Sequence, residues 1–205
     1  GTACDTNHAK TWQLLAVPTD GGQTIKAAWQ EGAALSDVAS PLPGSQGNPH
    51  TGYGTMLTSD VANAATQPDP GFDVYTPSGP SIKIFNASGN NFIIPSGTGD
   101  SIYNQKGYFF FVRGDRSVID PFGAATPTIL RSTGPLFTPS NPPPVTNVAA
   151  GAFESIGNPY ASAIDVRNIA KAGGVNEYFY VWDPRLGSST GYGAYQEFLQ
   201  SGDAN

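Results

Sequence analysis

A single cysteine, Cys4, stands in 205 residues, so no disulfide can form within the chain and its stability has to come from packing. Charge is almost as sparse. Asp, Glu, Lys and Arg together supply 13% of the residues, about half the share in an ordinary soluble domain. Ser, Thr, Asn, Gln and Gly must therefore cover much of the surface, a composition common among extracellular proteins. The ten Lys and Arg residues are scattered and the net charge is −6. Without a basic stripe to displace counterions from phosphates, nucleic acid is not an expected partner. Apolar runs are short as well: Tyr108–Val112 is one of the longest, against the about 20 residues a helix needs to cross a bilayer. Membrane insertion is not expected. No basic stretch followed by an apolar run opens the chain, so the expectation is that a leader has been removed or that the chain is cut from a longer one. The two histidines, His8 and His50, have no second His or Cys at ligand spacing, which argues against a His-based transition-metal site.

What is abundant is glycine (25), proline (18) and aromatic residues, against one methionine and four glutamates. That balance favours strands and turns over helices. Short β-like runs fall at 12–17, 24–30, 53–58, 72–75, 81–85, 91–94, 108–113, 117–119, 128–132, 152–156, 177–182 and 195–199. Ile82 and Ile84 alternate with Lys83, as in a strand with one buried face, whereas Tyr108-Phe109-Phe110-Phe111-Val112 is apolar on both faces and reads as a central strand. The expected fold is mainly β: a β-sandwich, jelly-roll-like or immunoglobulin-like, forming one module over 1–205 with 1–10 and 200–205 as linkers. One short helix is expected near 163–172. There Ser162 stands as cap, Asp165 lies three positions later, and Gly173-Gly174 ends the run.

Several stretches together resemble a module of large surface and secreted proteins of Bacteroidota, many of them cargo of the type IX secretion system. They are WQLLAVP (12–18), TIKAAWQEG (24–32), GFDVYTPSGPSIKIFN (71–86), NQKGYFFFVRGDRSV (104–118), PTILRSTGPLF (127–137), GNPYASAID (157–165) and YFYVWDPRLGSSTGYGAYQ (178–196). The resemblance implies an extracellular β-sandwich module in a longer multidomain chain and carries no agreed catalytic residues. The expected role is non-catalytic, structural or adhesive, with neighbouring modules of the same chain or fibre as partners. The alternative is a carbohydrate-binding module attached to a secreted polysaccharide-degrading enzyme, with an extracellular glycan as partner.

Arg113-Gly114-Asp115 spells an adhesion tripeptide. Its setting, at the end of an aromatic strand and followed by Arg116, favours a structural turn: Gly114 supplies backbone freedom, and Arg113 and Arg116 flank the Asp115 carboxylate as ion partners. No cofactor is expected except calcium, for which Asp69, Asp73 and Asp100, in or beside Gly-rich loops, are weak candidate ligands. Gly187-Ser188-Ser189-Thr190-Gly191 matches the G-x-S-x-G elbow of hydrolases, yet both histidines lie upstream and a flexible loop is the better reading. An Asp/Glu-dependent glycoside hydrolase would draw on Glu31, Glu154, Glu177 or Glu197, though the sequence pairs none of them. Trp12, Trp29 and Trp182 sit in strand-like runs and are expected in the core. Tyr53 and Tyr192, each between glycines, and Tyr195 are the candidate ligand- or partner-binding residues.

Overall fold

The computed structural model describes residues 10–31, 50–59, 71–73, 79–102, 105–118, 124–138, 146–186 and 192–201. The protein is mainly β, with two antiparallel sheets and one short α-helix among these residues. Strands β1 (Thr11–Leu15), β2 (Ile82–Asn86), β3 (Asn91–Ile93) and β4 (Tyr108–Val112) form a four-stranded sheet in the order β1-β4-β2-β3. Strands β5 (Tyr178–Asp183) and β6 (Ala194–Leu199) form a separate two-stranded sheet.

Strand β4 is internal and contacts other layers on both faces, which is why it tolerates apolar residues at every position. Tyr108 and Phe110 point to one side, where both are buried with Ile82, Ile102 and Val17. Both make edge contacts with Trp29, at 5.0 and 4.8 Å. Phe109 and Phe111 point to the other side, where Trp12 stacks on Phe109 at 4.7 Å and Phe92 lies 5.1 Å from it. The register explains these neighbours, because Trp12 pairs with Phe111 and Lys83 with Phe109, and paired residues of antiparallel strands share a face. The Lys83 ammonium lies 4.9 Å from the centre of the Trp12 ring, a cation–π contact on that same face.

Trp29 reaches the core from a helix, α1 (Ile25–Trp29), and not from the strand expected at 24–30. The Thr24 side chain accepts a hydrogen bond from the Ala27 N–H and caps it. Ile25, Ala28 and Trp29 fall at the helical i, i+3, i+4 spacing and are the residues buried. The helix expected at 163–172 is instead a 3-10 turn, Val166–Asn168, with no buried residue. None of the apolar side chains of this stretch is buried, so packing does not offset the cost of nucleating an α-helix. Asp165 caps the turn by accepting from the Arg167 N–H.

Several other expected strands are single bridges between extended segments: Tyr53 with Ile129, Thr58 with Asp73, and Lys106 with Ile156. The run at 117–119 is not a strand where it is described, since Ser117 lies in a turn that the Val118 N–H closes onto the Asp115 carbonyl at 3.0 Å. Consequently β4 does not turn into a hairpin. Its partners are β1 and β2.

The β5–β6 hairpin is fastened to the four-stranded sheet chiefly by Trp182. Its indole N–H donates to the Trp12 carbonyl at 2.7 Å, and its ring meets Phe109 edge-on at 4.8 Å. The Thr11 hydroxyl adds a hydrogen bond to the Tyr192 carbonyl at 3.2 Å. Gly193 makes this approach feasible: a Cβ there would lie 2.5 Å from the Trp182 ring, and its φ of +98° is one that side chains rarely adopt.

Candidate functional site

The adhesion-like tripeptide is inside the protein. Arg113 is 3% exposed and Asp115 4%, whereas a receptor that reads both charges needs both tips in solvent. Gly114 has a φ of +137°, and a Cβ on it would come within 2.8 Å of the Thr126 backbone nitrogen, so the position requires glycine. The arginines do not bracket Asp115 as the sequence suggests. Arg116 reaches across to Asp73 in a bidentate pair, Nη1 to Oδ2 at 2.9 Å and Nη2 to Oδ1 at 2.8 Å, with both side chains buried. It also donates to the Thr55 carbonyl at 3.2 Å. The Arg113 guanidinium lies 5.7 Å from the Phe111 ring centre and within 3.5 Å of the Thr58 hydroxyl.

Asp115 is satisfied by neutral donors: the Gly52 N–H at 2.8 Å, the Ser117 N–H at 3.0 Å and the Ser117 hydroxyl. Desolvation pushes its carboxyl upward, but hydrogen bonds from Ser117, Gly52 and Thr126 outweigh it and hold the group below the usual carboxylate value. A carboxyl whose pKa is depressed on folding contributes stability above its unfolded pKa and loses it as pH falls through the folded value. Denaturant midpoints are therefore expected to decline below about pH 4, and Asp115→Asn is expected to flatten that decline while lowering the plateau at neutral pH.

The two calcium candidates among the described residues, Asp73 and Asp100, are each engaged by partners of their own. Both Asp73 oxygens are engaged by Arg116, and Oδ2 also accepts from the Leu57 N–H at 2.6 Å. Asp100 closes its own loop by accepting from the Ser96 N–H and hydroxyl, and Asp69 lies outside the described residues. Among the described residues no group of three or more His, Cys, Asp or Glu could hold a metal ion. The Gly187–Gly191 stretch and His8 also lie outside the described residues. The four glutamates sit in separate local settings. Glu31 pairs with Arg131 at 2.7 Å, Glu154 accepts from the Ser155 N–H, the Glu177 carbonyl accepts from the Gln200 N–H, and Glu197 accepts from the Tyr180 hydroxyl.

The candidate tyrosines separate into two places. Tyr53 is half-buried, with the Arg131 guanidinium 4.3 Å from its ring centre and His50 edge-on, so it belongs to a packed cluster tied down by the Glu31–Arg131 pair. Tyr192 and Tyr195 belong to the hairpin unit, Tyr192 against Phe111 at 6.1 Å and Tyr195 against Trp182 at 4.9 Å. Comparison with protein-family models, with curated proteins and with solved structures finds no match. The chemistry of the surface therefore has to be read from its own side chains.

Two clefts, of about 280 Å³ beside Lys171 and Glu177 and about 250 Å³ beside Ile84 and Lys106, are smaller than the about 300–1,000 Å³ of typical small-molecule sites. The conspicuous surface is instead the hairpin. Tyr178, Tyr180, Val181, Tyr192, Tyr195 and Phe198 are each 38–53% exposed. Tyr178 and Tyr180 were not singled out as binding residues from the sequence, because YFYVW resembles a buried strand as closely as GYFFFV does. The hydroxyls of its two tyrosines were the available signal.

Proposed function

We propose that this chain is a non-catalytic structural and adhesive module of a secreted, cell-surface multidomain protein, and that the β5–β6 hairpin is its contact surface. The observation that carries this reading is the concentration of exposed aromatic and aliphatic side chains on those two strands and on Tyr192, two residues before β6. A two-stranded sheet is marginal by itself, and exposed apolar side chains gathered on both faces of one such element mark an interaction site. The low charge fits an extracellular setting, and the resemblance to modules of Bacteroidota surface proteins supports the same placement. In this reading the four-stranded sheet and its buried Arg116–Asp73 pair form the scaffold, while Trp182 holds the contact hairpin on it.

The test is adsorption of the labelled chain to immobilised mucin, collagen and bacterial exopolysaccharide, with self-association followed by sedimentation. At least one such contact is expected, weakened about tenfold, or about 1.4 kcal/mol, by Val181→Ser combined with Phe198→Ser or by Tyr180→Ala. Contacts that persist unchanged in these folded variants would remove the hairpin from the account.

A further inference from the structure

One face of the hairpin has a more specific chemistry than general stickiness. The strand register places Tyr178, Tyr180 and Trp182 of β5 on the same side as Leu199, Glu197 and Tyr195 of β6. Trp182 is turned into the contact with Phe109, which leaves Tyr178, Tyr180, Tyr195 and Glu197 exposed. The Tyr180 hydroxyl donates to Glu197 Oε2 at 2.7 Å. A second element borders this pair: Phe153, 53% exposed, meets the Tyr180 ring edge-on at 5.7 Å. The Phe153 N–H donates to the Asn90 side chain beside β3, which ties that segment to the main sheet.

From this arrangement we infer that the Tyr178/Tyr180/Tyr195 face, with Glu197 and Phe153, is a binding platform for a neutral, hydroxyl-rich glycan chain. The inference rests on the hairpin being the contact surface and names its ligand. Exposed rings offer flat apolar faces against which the C–H faces of a pyranose can lie. Glu197 makes no ion pair among the described residues. Held by one tyrosine hydroxyl, its carboxylate keeps acceptor positions for sugar hydroxyls. A single uncompensated carboxylate favours O–H donors and disfavours acidic ligands, which selects neutral over anionic polysaccharides. The span from Tyr178 to the level of Tyr195 is four residues of strand, about 14 Å, room for more than one ring and suited to a chain lying along the surface.

Affinity electrophoresis of the whole chain through gels containing xylan, galactomannan, xyloglucan or mixed-linkage β-glucan, with alginate as the anionic control, tests the inference. Retardation by at least one neutral polysaccharide and not by alginate is expected. Tyr180→Ala and Glu197→Gln should each weaken it about tenfold, while Tyr53→Ala, with its ring in the Arg131 cluster, leaves it unchanged. Because Glu197 is exposed and Gln keeps an acceptor for Tyr180, loss of folding does not confound that variant, and circular dichroism checks both. Absence of retardation in all four neutral gels, or retardation indifferent to Tyr180→Ala and Glu197→Gln, overturns the glycan platform. If the wild type binds no neutral polysaccharide but self-associates or binds mucin through the hairpin, the contact-surface reading stands and the glycan inference alone fails. If hairpin substitutions alter no contact, both fail.

Discussion

Arg116→Ala is expected to lower unfolding free energy by about 3–5 kcal/mol, the range for removing one partner of a buried ion pair. The reason is the company Arg116 keeps. Its guanidinium satisfies both Asp73 oxygens and the Thr55 carbonyl, with side-chain exposures of 1% for Arg116 and 0% for Asp73. Truncation would leave the Asp73 carboxylate enclosed with the Leu57 N–H as its donor among the described residues, a charge without a counterion in a poorly solvating interior. Three segments would loosen together, because the Asp73 N–H also bonds the Leu57 carbonyl and the Thr55 N–H bonds the Trp29 carbonyl at the end of α1. Urea denaturation would read the loss as a lower midpoint. Arg116→Lys is expected to recover only part of it, since an ammonium cannot make the two-pronged contact.

Trp182→Ala is expected to act on a different unit and in a different way. The large cost of truncating a tryptophan, about 3 kcal/mol or more, falls here on the junction between the hairpin and the sheet. The Trp182 ring contacts both Phe109 and Tyr195, and its N–H is bonded to the Trp12 carbonyl. Without it the hairpin loses its main anchor, and a lone two-stranded sheet does not hold its own structure in water. Hydrogen exchange should therefore show protection lost in β5 and β6 while β4 amides stay protected, an example of sub-global opening. Uniform loss of protection in both sheets would show that the hairpin and the main sheet unfold as one unit.

Much of the scaffold was legible in the sequence because its signals are local. All-apolar Tyr108–Val112 became the internal strand β4, and the Ile82/Ile84 alternation became β2. Helix α1 was misread although its signal was also local. Thr24, Ile25 and Trp29 suit strands individually, but Ile25, Ala28 and Trp29 follow the helical period behind a threonine cap. The Arg116–Asp73 pair was not legible, since the two residues lie 43 positions apart and Asp115 is adjacent to Arg116 in the chain. The proposed contact surface was partly legible. Tyr192 stands out by its flanking glycines and Tyr195 was named with it, whereas Tyr178 and Tyr180 were hidden in a run whose cover depends on a partner layer. That layer reaches Trp182 and leaves both tyrosines exposed.

On the proposed function, the internal Arg-Gly-Asp turn stabilises the protein and the exposed tyrosine hairpin is the part that binds. Parallel measurement of melting temperature and surface adsorption for Asp115→Ala and Tyr180→Ala tests that separation most directly. Asp115→Ala should lower the melting temperature and, below it, leave adsorption intact, while Tyr180→Ala should leave the melting temperature nearly unchanged and reduce adsorption about tenfold. The opposite pattern, adsorption abolished by Asp115→Ala at unchanged stability and untouched by Tyr180→Ala, would contradict it.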